Sequence, residues 1–132
     1  MWAQPDNGST YFNVVAGKIS KGSDHEIIVT GSSKNQSIVI DFLNFTPKIN
    51  VEYNIGKFDT SNIAKLTASY ITEDQKIFYA DGTNGSAGTV KIAKFTSGNI
   101  QGVFQFTGVN TLNSSEKSVI RNGMFNAKLK NY

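Results

Sequence analysis

The chain of 132 residues contains no cysteine, one histidine, one arginine and two prolines. The missing cysteine excludes disulfides, thiolate zinc sites and a cysteine nucleophile. His25 stands alone between Asp24 and Glu26. A hydrolytic triad needs a hydroxyl on one side of the imidazole and an orienting carboxylate on the other, and sequence neighbours on a strand point to opposite faces. No catalytic residue, no metal-ligand set and no cofactor is therefore assigned. No apolar run approaches the roughly 18–20 residues that span a bilayer, so no transmembrane segment is expected. The opening residues, MWAQPDNGST, have neither the basic segment nor the apolar stretch of a signal peptide. That fits a cytoplasmic chain, or a mature form whose leader has been removed.

Charge is also scarce. Charged residues make up 17% and the net charge is +3. The cations are nearly all lysines spread along the chain, with Arg121 the one arginine. Nucleic-acid readers cluster their basic residues and favour arginine, so no nucleic-acid partner is expected. Leucine occurs only at 43, 66, 112 and 129, too few for a helical bundle or coiled coil.

What is present is β-forming. Ile, Val, Thr, nine Phe and five Tyr dominate, with twelve Gly. Turn chemistry recurs at 6–9, 21–24, 31–35, 81–85, 97–99 and 113–115, where Gly and Asn supply positive-φ positions. Between the turns, apolar residues alternate. Ile38, Ile40 and Phe42 share one face and Val39, Asp41 and Leu43 the other; Ile100, Phe104 and Phe106 oppose Gln101, Gln105 and Thr107. Similar runs lie near 12–16, 26–31, 51–55, 66–70, 76–81, 88–96 and 117–129. Two runs change parity, at Phe95 and at Phe125, which a β-bulge or a face switch at a barrel corner would reconcile, with Gly123 a candidate site. Gly102–Phe106 echoes Gly123–Ala127 and fits two neighbouring antiparallel strands with matching inward Phe positions. Asp59–Lys65 is the one helical suspect, a single connector turn. These features predict one all-β domain over residues 1–132: an antiparallel β-sandwich or flattened barrel of about eight to ten strands with meander-like hairpins.

Few residues suggest chemistry. The acidic residues are scattered, and only Glu73 and Asp74 are adjacent, in a turn-like sequence from Thr72 to Lys76. A hydrolase would have to assemble distant carboxylates about 5–10 Å apart. Asp81–Gly88 is glycine-rich but lacks the Gly-Lys-Ser/Thr ending of a phosphate loop and the distal Glu of an EF-hand. It reads as a hairpin connection, with a weak calcium loop as the alternative. Surface aromatics are the remaining lead, because they stack on sugars and anchor protein partners. Trp2, Tyr79, Asp81 and Asn84 are the candidate ligand-binding residues.

Ser86–Phe95, Ile100–Gly108 and Ser118–Ala127 form an ordered set. It resembles the C-terminal half of a family of small exported, often lipid-anchored all-β proteins of Bacteroidota whose function is unknown: Ser-Gly-Thr-Val-x-Ile, then Ile-x-Gly-x-Phe-x-Phe, then Asn-Gly-x-Phe. The resemblance implies an antiparallel β-fold, an extracytoplasmic location and a lipid anchor in the precursor, and it brings no catalytic residue. The expectation is a non-catalytic binding or accessory module, at the cell surface, in the periplasm or secreted, for a glycan or a protein partner. The alternatives are a lipocalin-like carrier of a small molecule, which interior filling by Phe104, Phe106 and Phe125 would eliminate, and a structural subunit of a surface assembly.

Overall fold

Along Gln36–Leu43 every second side chain is buried: Ile38, Ile40 and Phe42 have no exposed surface, while Val39, Asp41 and Leu43 lie on the other face. That pattern is a strand with one face on the core. A computed structural model describes residues 1–5, 10–21, 24–57 and 64–131. Its strands are β1 (Trp2–Pro5), β2 (Thr10–Tyr11), β3 (Asn13–Lys21), β4 (Asp24–Ser33), β5 (Gln36–Leu43), β6 (Glu52–Asn54), β7 (Gly56–Lys57), β8 (Lys65–Ile71), β9 (Ile77–Ala80), β10 (Ala87–Thr96), β11 (Asn99–Asn110) and β12 (Asn113–Asn131). No helix occurs among the described residues. Of the single turn expected over Asp59–Lys65, residues 59–63 lie outside them, and Lys65 opens β8.

The all-β expectation holds, with two corrections. The strands number twelve because three short pieces, β1, β2 and β7, add to the alternating runs. The sheet is mixed, because Leu129–Asn131 run parallel to Ala16–Lys18. All strands belong to one sheet folded on itself. One half follows the order β2-β1-β12-β11-β10-β6, and the other is the meander β3-β4-β5-β8-β9 with β7 beside β8. Short seams join them: β11 to β9 through Val109 and Asn110, and β12 to β3 at its C-terminal end. The inward residues of both halves form one apolar cluster, including Ile27, Phe42, Leu66, Phe104, Phe106 and Phe125. This is a flattened barrel with a packed interior.

Both parity breaks are bulges. Ile92 pairs with Gly102 and Lys94 with Gln101, so Ala93 is the extra residue and Phe95 turns back toward the core. On β12, Phe106 pairs with Ile120 and Phe104 with Gly123, which places three steps opposite two. The surplus falls at Arg121–Asn122, where Asn122 takes a φ of 50°. The bulge therefore sits just before Gly123. Gly123 itself makes room for a ring, since a Cβ there would lie 2.4 Å from Phe104. Reciprocally, Gly102 pairs with Phe125 and its Cβ would lie 3.0 Å from that ring. The echoed segments are thus neighbours, each laying a Phe over the other's Gly.

Two expected turns shift. Gly31 lies inside β4, where a Cβ would lie 2.5 Å from the Met1 sulfur, and the turn itself is Lys34–Asn35. Asn113 already belongs to β12, and the turn is Thr111–Leu112. The Glu73–Asp74 turn is as expected. Turn residues 6–9 and 22–23 lie outside the described residues.

Gly123→Ala should destabilise the fold by about 2 kcal/mol through overpacking against Phe104, lowering Tm by roughly 5–10 °C. Adding Phe104→Leu should recover part of the loss, a coupling of about 1 kcal/mol in a double-mutant cycle. Strict additivity in thermal melts would show that the ring contact is not the cause.

Candidate functional site

With the interior filled, exposed chemistry resides on the outer faces. The outward side chains of β11 are Gln101, Val103, Gln105 and Thr107, alternating with buried Ile100, Gly102, Phe104 and Phe106. Register places them in rows. Tyr11 pairs with Trp2, Trp2 with Met124, Met124 with Val103, Val103 with Lys91, and Lys91 with Glu52. The row crosses β2, β1, β12, β11, β10 and β6. Its first four side chains are apolar or aromatic and are each between 48% and 54% exposed. Trp2 and Tyr11 meet edge to face, with centroids 5.1 Å apart and planes at 67°. Contiguous apolar side chains on a surface mark a contact site far better than scattered ones do.

Amides flank the row. On one side Asn126 pairs with Gln101, and its Oδ1 accepts from Asn99 Nδ2 at 2.8 Å. On the other, Gln105 pairs with Thr89 and Thr89 with Asn54, while Asn122 Nδ2 donates to Gln4 Oε1 at 2.7 Å.

Three clefts open on this face and share walls. One of about 330 Å³ is lined by Trp2, Tyr11, Val103, Met124, Gln101 and Asn126, among others, with no Asp, Glu, Lys or Arg. A second, of about 360 Å³, shares Val103 and Met124 with it and adds Lys91 and Glu52. The third and largest, about 470 Å³, shares Thr89, Gln105 and Asn122 with the second and reaches Arg121. Together they make a furrow following β11. From Gln101 to Thr107 it spans about 20 Å at strand rise.

Of the residues singled out from the sequence, Trp2 belongs to this furrow. Tyr79, Asp81 and Asn84 come together elsewhere, in a hollow of about 400 Å³ shared with Asn110 and Leu112. The two sites share no lining residue. The carboxylate of Asp81 is engaged locally. It accepts from Thr83 N at 2.9 Å, Thr83 Oγ1 at 2.6 Å and Ser86 Oγ at 3.4 Å. Burial works to raise this carboxyl, but the Thr83 and Ser86 hydrogen bonds outweigh it and hold Asp81 below the usual carboxylate range. Buried Ser86 in turn accepts from Asp81 N and Gly82 N and donates to Thr83 O. Positive φ at Gly82, Asn84 and Gly85 completes a hairpin connection. Asp81 and Ser86 thus shape the loop, as the hairpin reading has it.

Val103 and Met124 do not stand out in the sequence, whereas Tyr11 is among its candidate surface aromatics. The signal of Val103 and Met124 is the outward parity of two Gly-x-Phe strands, but only the register shows that all three align with Trp2. The meander half holds another pairing that sequence could not reveal. Asp41 on β5 hydrogen-bonds to Glu26 on β4, diagonal neighbours across the ladder. One Asp41 oxygen, Oδ1, is buried with no partner. Burial first, then the hydrogen bond and like charge of Glu26, push the Asp41 carboxyl up to about 7, against an opposing pull from Lys65.

An unfolded aspartate titrates near about 3.9, so between there and about 7 the folded protein holds a proton that the unfolded chain has released. Stability from this group is full below the unfolded value and falls as pH rises through the window. Asp41 is only half-buried, so solvent screening reduces the effect to about 1–2 kcal/mol. Urea unfolding should therefore show wild-type stability declining from pH 5 to 8 relative to Asp41→Asn, with the variant the more stable at pH 8. Parallel pH profiles would refute the carboxyl pair.

No curated protein and no solved structure is significantly similar to the chain. A family model does match, over residues 3–127, and it is described as a domain of unknown function. The match covers the echoed C-terminal strands and nearly all the rest, so the chain belongs to the DUF6252 family, whose function is not established.

Proposed function

We propose that this domain is a non-catalytic binding module of the cell exterior that holds an elongated partner, a glycan or a protein segment, along the outer face of β11. The observation that carries the reading is the confluence of three clefts on one sheet face, with an exposed apolar row crossing it and amides on both sides. Separate hollows would suit separate small ligands. A run of adjoining clefts along one strand suits a chain. The extracytoplasmic location and an anchor in the precursor are part of the proposal, motivated by the C-terminal resemblance and the neutral surface.

Two alternatives lose support. A lipocalin-like carrier needs an open lumen, and Phe104, Phe106 and Phe125 are 2–4% exposed within the central cluster. A two-carboxylate hydrolase needs its acids about 5–10 Å apart across a substrate cleft. Asp41 and Glu26 instead bond directly to each other and line neither the furrow nor the loop-end hollow.

The test places a charge in the middle of the furrow. Val103 is half-exposed, so Val103→Glu should leave Tm nearly unchanged, as surface substitutions do, to within about 0.5 kcal/mol. It should weaken the ligand found on glycan and peptide arrays at least tenfold, while Tyr79→Ala in the other hollow leaves binding intact. Loss with Tyr79→Ala and retention with Val103→Glu would move the binding site to the loop end.

A further inference from the structure

Resting on the reading of this face as a binding site, we infer that its occupant is an uncharged glycan chain. Three features of the furrow separate this from a peptide or an acidic polymer. First, its aromatic end carries no charged side chain. Lys91 and Glu52 in the middle are register partners of opposite sign, and Arg121 at the far end is the single uncompensated side-chain charge in the lining. A polyanion would find one arginine where its repeat needs several.

Second, the furrow lies on the face of a sheet. The main-chain groups of β11 are committed to the β10 and β12 ladders on both sides. Peptides that bind as extended strands take their hydrogen bonds from an open sheet edge. On this face their N–H and C=O groups would meet side chains alone, and buried unpaired peptide groups cost free energy.

Third, the side chains match what a sugar presents. A pyranose has an apolar C–H face and an equatorial fringe of hydroxyls that both donate and accept. Trp2, Tyr11 and Met124 supply an apolar platform, and the flanking Gln101, Asn126 and Gln105 carry amides that also donate and accept. Asn99 holds the Asn126 amide in place. The platform stands at one end and the amides continue along β11, so successive sugar units would meet stacking first and hydrogen bonds after.

Trp2 is the sole tryptophan, which makes its fluorescence a reporter of the aromatic end. The full chain would be titrated with soluble uncharged polysaccharides (β-glucan, xylan, galactomannan and dextran) and with anionic polygalacturonate and heparin. The expected result is a saturable Trp2 emission change with at least one uncharged polymer, unaltered between about 0.05 and 1 M NaCl, since no ion pair is screened. Gln101→Ala and Asn126→Ala, on an exposed surface that leaves folding intact, should each weaken it at least fivefold; Arg121→Ala should not. Binding of the anionic polymers alone, lost in salt and in Arg121→Ala, would overturn the uncharged-glycan inference while leaving the binding face in place. So would a peptide from a random library that shifts Trp2 emission where the polysaccharides do not. If no probe moves Trp2 emission or the backbone amide resonances of β11, or if the resonances that move are those of Tyr79–Asn84, the binding face itself fails.

Discussion

Across β10, β11 and β12 three buried phenylalanines lie opposite glycines: Phe106 faces Gly88, Phe125 faces Gly102 and Phe104 faces Gly123. At all three glycines a Cβ would sit within 3.0 Å of a core side chain. The rings of Phe125 and Phe104 therefore lie against the Gly102 and Gly123 backbone of the neighbouring strand. Phe104 sits 6.3 Å from Phe106 and 6.1 Å from Phe125, a continuous aromatic layer. Contacts of this density fix the register, because a one-residue slip would drive a ring into a side chain and turn the buried set to solvent. The order of the outer face follows. Once Phe104 is seated on Gly123, Val103 must align with Met124, and Met124 with Trp2. The exposed row is the reverse side of the core packing.

The bulges give that row its relief. An unbroken ladder would present a smooth pleated surface. The surplus residue at Arg121–Asn122 displaces the β12 backbone beside Gln105, and the one at Ala93 does the same to β10 beside Gln101. Added twist and a kink are the normal effects of a bulge, and here they flank β11 on both sides. The same irregularity sets the pairing of β1, where Trp2 meets Met124 and Gln4 meets Arg121. A defect in one ladder is thus shared by the strand that carries the tryptophan.

How much of this was legible depends on the range of the interaction. Alternation is local, so Ile38–Phe42 and Ile100–Thr107 could be read directly, and the parity breaks at Phe95 and Phe125 announced bulges. The grouping of Tyr79, Asp81 and Asn84 was legible because a hairpin loop keeps sequence neighbours together in space. Pairings between distant strands were not. Tyr11, Trp2, Met124 and Val103 come from four strands, and nothing local marks their alignment. Asp41 and Glu26 are separated by a hairpin whose turn, Lys34–Asn35, lies just beyond the Gly-Ser-Ser that looked like a turn. Gly31 resembled a turn glycine, yet it is a strand position kept bare so that Met1 can pack on it. Composition signals where the chain could bend, but tertiary contacts decide where it does.

The scarcity of charge acquires a role in this setting. A domain with few ionic groups has weak long-range steering, so the selectivity of the proposed binding face would come from shape and short-range hydrogen bonds. With the interior packed by aromatic rings among the described residues, the proposed ligand would be met on a face. A sheet face offers no free main-chain groups, so every hydrogen bond there has to come from a side chain. Neutral amides and hydroxyls serve that purpose without the desolvation cost of ions, and Gln101, Gln105, Asn122, Asn126 and Thr89 stand where the two ladders and their bulges place them. Few charges, abundant Asn, and the glycines beneath Phe104, Phe106 and Phe125 are therefore connected: the glycines let these side chains pack the interior, and on the proposed reading recognition falls to the sparsely charged, polar side chains of the outer face.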